Sequence, residues 1–195
     1  MQPAKKTSGR GESDNAIAML MEDHQRVRQL FAEFKKIKDA GGKADAADAT
    51  ELSEKKAELV AQVCQELLIH AQLEEELFYP AVRAAIDDQD LMDESAVEHA
   101  MVKDLVMQLL EMAPGDDLYD AKVTVLGESV EHHVKEEEGS MFPQVKKAAD
   151  LDDTLGDQLL QRKQELLIEL SQPRAQQPAR ANGVRKSQGV PAPAH

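Results

Sequence analysis

One motif occurs twice in this sequence, and the repeat limits the possible folds more than any other feature. The first copy pairs His70 with Glu74, and the second pairs His133 with Glu137. In each copy the Glu lies four residues after the His, and a Pro lies ten residues after the same His. The four-residue spacing places both side chains on one face of an α-helix. Two such helices facing each other would therefore bring four metal-binding groups to one point.

The composition favours helices as the carriers of these motifs. The 195 residues suffice for one full domain, and 42% of them are hydrophobic. Aromatic residues make up only 3% and Trp is absent, so Leu, Val, Ala and Met must fill the core. Because aromatic and β-branched runs are few, we predict an all-α protein.

Apolar residues recur at three- and four-residue intervals along four long segments, which we predict to be helices. These segments are residues 14–39, 51–86, 90–112 and 117–149. Pro80 is expected to kink the second helix without ending it. The connections favour an up-down-up-down four-helix bundle. A fifth amphipathic segment contains no His and is predicted to pack outside the bundle or against a second subunit.

The expected domain organisation follows from these segments. A disordered polar start is followed by the bundle, an accessory helix and a disordered basic tail. Their expected bounds are residues 1–13, 14–149, 150–171 and 172–195.

Two further His residues lie on the predicted core faces of the first and third helices. After both His24 and His99, a Val follows at three residues, a basic residue at four and a Leu at six. The order along the chain is therefore a lone His, a His-Glu pair, a lone His and a His-Glu pair. This order indicates a helix pair that is used twice, and it predicts a bundle with pseudo-two-fold symmetry.

Taken together, six residues predict a buried metal centre. They are His24, His70, Glu74, His99, His133 and Glu137. Burying four imidazoles and two carboxylates without partners would be very costly, so such a cluster needs cations. The alternative is a metal-free helical bundle, because a single His-Glu pair is usually a surface feature.

The donor atoms indicate which metals suit this centre. All six residues offer nitrogen or oxygen, which disfavours a structural zinc site or an iron–sulfur cluster. The set is too large for one catalytic zinc ion, yet it suits two metal ions that share bridging carboxylates. We therefore predict two iron ions with a bridging oxo or hydroxo group, and with Glu74 and Glu137 as bridges. Manganese or zinc is the alternative metal.

Over residues 14–149 the sequence resembles the hemerythrin, or HHE cation-binding domain, family. The resemblance rests on the two lone His residues, the two His-Glu pairs and their Phe- and Pro-containing endings. It implies that the six residues are the metal ligands. Two positions differ from the oxygen-carrying hemerythrins. Those proteins have a second His at the position of Lys103. Their fourth helix carries an Asp five residues after its His, whereas here Glu137 follows His133 by four. The chain thus resembles the broader HHE branch with four His and two Glu.

Three functions are compatible with such a centre. The first is a non-haem di-iron protein that binds or senses dioxygen or a related small molecule. The second is an enzyme that reduces peroxide or activates oxygen, and the third is iron handling or iron sensing. No Gly-rich phosphate loop, nucleophile elbow or Cys-x-x-Cys pair is present in the sequence. We therefore favour the first function and lean away from an enzyme.

The charge distribution bears on partners and location. The net charge of the chain is −14. The tail after Ser171 carries +4 and the start through Glu12 carries +2, so subtracting both from −14 leaves −20 on the middle. So acidic a body disfavours nucleic-acid and anionic-membrane partners. Cys64 is the only cysteine, the N-terminus is polar and no apolar run approaches a membrane span. We therefore expect a cytoplasmic protein.

Other polar residues near the motifs have simpler interpretations. We expect His132 to be exposed, because it points about 100° away from His133 on a helix. Cys64 is expected in the core, and Tyr79 near the kink, beyond the level of the ligands. We interpret the acidic residues near the ligands as a solvated face. One or another of them is the alternative partner that hydrogen-bonds and orients a ligand His. They are Asp23, Glu75, Glu76, Glu98, Glu136 and Glu138.

Overall fold

The computed structural model describes residues 10–41, 46–148 and 154–171. Within these ranges every regular element is a helix, which confirms the all-α prediction. None of the helices in these ranges is long and apolar enough to cross a membrane. The disorder predicted for residues 1–9 and 172–195 lies outside the described residues.

The described residues form seven α-helices and two π-helical segments. The α-helices are α1 (Arg10–Gly41), α2 (Ala46–Leu73), α3 (Tyr79–Ala85), α4 (Gln89–Leu110), α5 (Tyr119–Glu136), α6 (Phe142–Val145) and α7 (Leu155–Ser171). The π-helical segments are π1 (Glu74–Phe78), between α2 and α3, and π2 (Glu137–Met141), between α5 and α6. The four helical units of the predicted bundle are therefore α1, α2 to α3, α4, and α5 to α6.

The ends of the helices largely follow the local sequence signals. Asp88 caps α4, because its Oδ1 accepts a hydrogen bond of 3.3 Å from the Leu91 N–H. The connection between α4 and α5 contains Gly115 at a φ of +111°, a conformation that glycine adopts readily. The first helix differs from its prediction, since it begins at Arg10 rather than Asp14. Polar composition predicted disorder there, but residues 10–13 contain no Pro that would stop a helix.

Each π segment begins at the Glu of a His-Glu motif and ends shortly before the Pro. The Tyr79 N–H donates to the Glu74 carbonyl, and the Phe142 N–H donates to the Glu137 carbonyl. Pro has no N–H, and its ring clashes with the carbonyl four residues earlier. A wider turn ahead of the Pro lets the helix continue. The second helix therefore passes Pro80 without ending, as predicted, and does so through a π-turn.

Two hydrophobic cores lie along the bundle, and the motif residues lie between them. On α1, Leu20 belongs to the first core and Val27 to the second, with His24 between them. The other three bundle helices repeat this order. Their flanking pairs are Leu73 and Leu67 around His70, Met92 and Val102 around His99, and Met141 and Val130 around His133. The fold thus places a polar layer between two apolar layers.

The accessory helix α7 packs on the outside of the bundle, which was one of its two predicted positions. It lies against α1, α2 and π1, and its Leu155, Leu159 and Leu166 are buried in the first core. Two cations on α7 reach the bundle as well. Arg162 donates to Glu76 at 2.7 Å, and Lys163 forms an ion pair with Asp23.

Shortening a buried leucine of α7 should destabilise the protein, whereas shortening its exposed neighbour should not. Leu159 is 0% exposed and Leu160 is 50% exposed. We expect Leu159→Ala to lower the free energy of unfolding by about 2–5 kcal/mol, through lost burial and the cavity left behind. Leu160→Ala should change it by about 0.5 kcal/mol or less. Urea unfolding measures both, and equal values would contradict the docking of α7.

Candidate metal centre

Four imidazoles meet in two pairs in the layer between the cores. The Nε2 atoms of His24 and His70 lie 3.1 Å apart, and those of His99 and His133 lie 3.0 Å apart. All four residues are buried. Each helical unit of the bundle therefore contributes one inward-pointing imidazole, as the order of His residues along the chain predicts.

Glu74 connects the two imidazole pairs. Its Oε1 lies 3.1 Å from the Nε2 of His70, and its Oε2 lies 3.3 Å from the Nε2 of His99. The residue is 0% exposed. One carboxylate therefore reaches one imidazole of each pair.

Glu137 makes the corresponding connection on the other side of the centre. Its Oε2 lies 3.2 Å from the Nε2 of His24 and 3.6 Å from the Nε2 of His133. It too is 0% exposed. The structure therefore brings all six predicted residues together, in an arrangement that suits two ions sharing carboxylates.

Each imidazole faces a second carboxylate at its other nitrogen, Nδ1. The pairs and their distances are His24 with Glu138 (3.0 Å), His99 with Glu75 (3.0 Å), His133 with Glu98 (2.7 Å) and His70 with Asp23 (3.6 Å). Where such a carboxylate accepts a hydrogen bond from the Nδ1–H of a neutral imidazole, the lone pair of Nε2 points into the centre. The sequence predicts a solvated acidic face with an occasional support for a ligand His, but in the structure four of these acids face ligand imidazoles.

A basic side chain lies behind each of these four outer carboxylates. The pairs are Arg28 with Glu138, Lys103 with Glu75, Lys163 with Asp23 and His132 with Glu98. Lys103, which stands where oxygen-carrying hemerythrins have a further His, donates to Glu75 at 2.7 Å. It therefore lies outside the centre and supports the carboxylate that orients His99.

Three inner carboxylate oxygens of the centre are suited to binding metal ions. Among the described residues, both oxygens of Glu74 and Oε2 of Glu137 are shielded from solvent and lack a hydrogen-bond partner. A buried polar atom left in this state costs about 1–3 kcal/mol. Two sets of ligand atoms lie within 4.8 Å of one another: His24, His70, Glu74 and Glu137 in one, and Glu74, His99 and His133 in the other. Cations in the centre would satisfy these atoms.

The carboxylates also raise the pKa values of the imidazoles in the metal-free protein. Burial alone would lower the pKa of His70, but Glu74 and Asp23 raise it to about 10. Burial also opposes protonation of His99, where Glu74 and Glu75 raise the pKa to about 9. Despite its burial, Glu74 has a pKa well below its usual range because of His70 and His99. Protons and metal ions therefore compete for the same nitrogen atoms.

Tyr79 lies in the centre, so the expectation that it packs beyond the ligands is wrong. Its hydroxyl donates to Oε1 of Glu137 at 3.0 Å and lies 3.1 Å from His99 Nε2 and 3.3 Å from His133 Nε2. Burial and the charges of Glu74 and Glu137 raise the pKa of Tyr79 well above its usual value. The phenol therefore keeps its proton in the metal-free protein.

The π-turn explains why helical periodicity missed this tyrosine. Tyr79 follows Glu74 by five residues, which on an α-helix would turn it about 140° away. In π1 the hydrogen bond joins residues five apart, so both side chains come to one face. The following Pro80 was the available signal. Phe142, the equivalent residue of the second motif, stacks on His24 with ring centroids 5.8 Å apart.

A small cavity lies beside the imidazoles, on the side of the second core. Its volume is about 20 Å³, which suffices for one molecule the size of water. Apart from the four imidazoles and Asp23, its walls are apolar. They comprise Val27, Leu67, Ala71, Val102, Val130 and Val134.

Two simpler predictions about neighbouring residues agree with the structure. Cys64 is buried in the second core, and burial raises the pKa of its thiol to about 11. The side chain of His132 is 62% exposed. Neither residue belongs to the centre.

Comparison with known proteins assigns the chain to a family. Residues 15–145 match the family described as Hemerythrin HHE cation binding domain. The chain belongs to this family. Cation binding in the family agrees with the buried His and Glu cluster of this HHE domain. The resemblance seen in the two His-Glu motifs is thereby confirmed.

Two known proteins are similar to this HHE domain. A DNA nickase from a Nostoc species is 28% identical over 144 residues, which are 72% of this chain and 36% of the relative. The chain therefore spans little more than a third of that relative. The crystal structure of a hemerythrin HHE cation binding domain-containing protein from Mycobacterium kansasii has a TM-score of 0.51 and 23% identity, covering 75% of this chain and 88% of that one. This likeness supports the fold alone.

Proposed function

We propose that this HHE domain holds two iron ions and binds or senses dioxygen or a related small molecule. The observation that carries the proposal is the cavity beside the imidazoles. Its volume of about 20 Å³ admits a diatomic or water-sized molecule and excludes a larger substrate. Apart from the four imidazoles and Asp23, its walls are apolar side chains such as Val27, Val102 and Val130, which do not recognise a polar substrate.

The two ligand sets favour a pair of ions over a single ion. His24 and His70 would hold one ion, His99 and His133 the other, and Glu74 and Glu137 would be shared. An iron pair with a bridging oxo or hydroxo group supplies reversible one- and two-electron chemistry when it is bound. Manganese or zinc would suit the same donor atoms.

The residues around the ligands have two tasks in this proposal. The outer carboxylates hold the imidazoles in one orientation, with the Nε2 atoms directed inward. The valine walls exclude bulk water and large solutes from the cavity. Both tasks suit a site that admits a small apolar gas.

Metal analysis combined with rapid oxygen mixing tests the proposal. Protein produced with iron is expected to contain about two iron ions per chain, as in other bundles of this kind. After reduction and stopped-flow mixing with dioxygen, a spectral change that reverses when oxygen is removed would support binding or sensing. An iron-free, fully folded protein would overturn the proposal, and so would a reduced form indifferent to oxygen.

The position of Tyr79 favours a second candidate, an enzyme that reduces peroxide to water with two electrons from an external reductant. Its hydroxyl lies within 3.3 Å of both His99 and His133, so it can donate a proton at the centre. Reversible binding of oxygen does not require such a donor. A positioned proton donor accelerates reactions by about 10²–10⁴-fold.

Removing the hydroxyl of Tyr79 distinguishes the two candidates. If the centre reduces peroxide, iron-loaded Tyr79→Phe should consume peroxide about 100-fold more slowly than the wild type. Its iron content should be unchanged, because the six ligands remain. Tyr119→Phe is the matched control, since Tyr119 is buried in the second core. Peroxide consumption that is absent in the wild type, or equal in all three proteins, would reject the enzyme.

We propose no nucleic-acid or membrane partner and a cytoplasmic location. The name of the Nostoc relative refers to DNA, but the matched region covers only 36% of that protein. The chain carries −14 in total, of which the tail contributes +4 and the start +2, so its middle carries −20. This negative charge would repel a phosphate backbone. The single cysteine suits a reducing compartment.

A further inference from the structure

The internal repeat of this HHE domain relates the two halves of the metal centre. A shift of 75 residues carries His24 on α1 to His99 on α4, and a shift of 63 residues carries His70 on α2 to His133 on α5. The outer carboxylates obey the same two shifts. Glu75 maps to Glu138, and Asp23 maps to Glu98. The symmetry therefore extends from the inner ligands to the acids behind them.

The symmetry does not extend to all of the basic side chains behind the outer carboxylates. Arg28 and Lys103, which lie behind Glu138 and Glu75, are related by the repeat. The cation behind Asp23 is Lys163, and it comes from α7. Behind Glu98 stands an imidazole instead. Three of the four outer carboxylates thus have a permanent cation, and the fourth does not.

The residues around the fourth carboxylate differ from their counterparts in a specific way. On the side covered by α7, three apolar residues belong to or pack against the first core. They are Met19, Ile69 and Leu73. The repeat places Glu94, His132 and Glu136 at the same three positions. Apolar residues under a packed helix are therefore replaced by metal-ligating residues on an open face, where Glu94 and His132 are exposed.

These side chains converge on that face. One ligand atom from each of Glu94, His132 and Glu136 lies within 4.8 Å of the other two. The Nε2 of His132 lies 3.4 Å from both Glu98 Oε1 and Glu136 Oε1. Atoms that each lie about 2.0–2.3 Å from one ion are at most about 4.6 Å apart. The spacing of these three atoms is therefore close to the range that ligands of one ion occupy.

The cluster also lacks positive charge. No Lys or Arg in the described residues forms an ion pair with Glu94, Glu98 or Glu136. In addition, Oε2 of Glu136 is shielded from solvent and has no hydrogen-bond partner. Three carboxylates around one imidazole form a mixed oxygen and nitrogen donor set of the kind that divalent transition metals prefer.

We propose that Glu94, Glu98, His132 and Glu136 form a second metal site, on the surface, for one divalent transition-metal ion. The ion takes the place behind Glu98 that Lys163 takes behind Asp23. Glu94 and Glu98 lie four residues apart on α4, as do His132 and Glu136 on α5, so each helix presents two ligands from one face. Zinc, manganese and iron(II) suit these donors.

The surface site shares a carboxylate with the buried centre. Oε1 of Glu98 faces His132, and its Oε2 accepts a hydrogen bond of 2.7 Å from His133 Nδ1. A single side chain therefore separates the surface ion from a ligand of the buried centre. The surface site itself does not depend on which metal the buried centre holds.

Zinc binding to the iron-loaded, full-length protein tests this site. Wild-type protein should retain one added zinc ion per chain, and X-ray absorption at the zinc edge should show one imidazole among oxygen ligands. We expect His132→Ala and Glu94→Gln each to weaken zinc binding by about tenfold or more. Glu111→Gln, an equal charge change at the exposed end of α4, should bind zinc like the wild type.

The other outcomes would overturn the inference. Zinc binding that is absent, or equal in all four proteins, removes the site. Zinc with several imidazole ligands would mean that it had entered the buried centre. A protein that proves to hold no iron would contradict the proposed function, yet the difference in zinc binding between the wild type and His132→Ala would still decide the surface site.

Discussion

Replacing either shared carboxylate is expected to abolish most iron binding. Glu74→Gln and Glu137→Gln keep the shape of the side chain but remove the charge that connects the two imidazole pairs. Loss of even an outer partner lowers metal affinity by about 10–100-fold, so loss of a shared ligand should lower it by about 100-fold or more. Iron analysis of purified variants, with circular dichroism as a measure of folding, tests this expectation.

The matched control for these variants is Glu76→Gln. Glu76 lies two residues after Glu74 on the same π segment, but it pairs with Arg162 at the surface. This variant should retain the iron content of the wild type. Equal iron content in all three folded variants would contradict the assignment of the ligands, whichever metal the centre holds in the cell.

Metal binding should release protons and strengthen steeply with pH. In the metal-free protein the pKa of His70 is about 10 and that of His99 is about 9, so both imidazoles are protonated at pH 7. A metal ion binds only the neutral imidazole. Below both pKa values the affinity for each ion should therefore rise by about tenfold per pH unit, and the overall affinity for the pair by about 100-fold, since one proton leaves His70 and one leaves His99. The rise should cease above about pH 10.

Calorimetry with zinc in buffers of different ionisation enthalpy measures the number of protons released. Folding stability gives a second test, whose direction follows from the same two groups. Their pKa values in the folded protein exceed the value of about 6.5 in an unfolded chain. The stabilisation is therefore complete below about pH 6.5 and is lost as the pH rises toward 10. An affinity and a melting temperature that are both constant between pH 6 and 9 would contradict the electrostatics described for the centre.

The predictable part of this protein is the part in which each residue acts through its own helix. A His and a Glu four residues apart must share a face on any α-helix, so Glu74 and Glu137 were identified without coordinates. His24 and His99 followed because each lies within an apolar stripe. Those local rules predicted the bundle and all six inner residues that the structure brings together.

Residues that act through another helix escaped the same rules. Asp23, Glu75, Glu98 and Glu138 look like other surface acids in the sequence, and only the packing of neighbouring helices shows which of them faces an imidazole. Lys163 lies 140 residues from its partner Asp23. Periodicity carries no information about such distant pairs.

The sequence by itself determined that four helices each carry an imidazole on the face directed into the bundle, because the period of an α-helix is set by backbone geometry alone. The tertiary structure decided the rest. It widened the helix at Glu74 into a π-turn, which brought Tyr79 into the centre, and it laid α7 over only one of two equivalent faces. The physical reason is that α-helical periodicity does not include the wider turn ahead of Pro80, and that side-chain packing between helices, rather than local backbone preference, selects the docking site of α7.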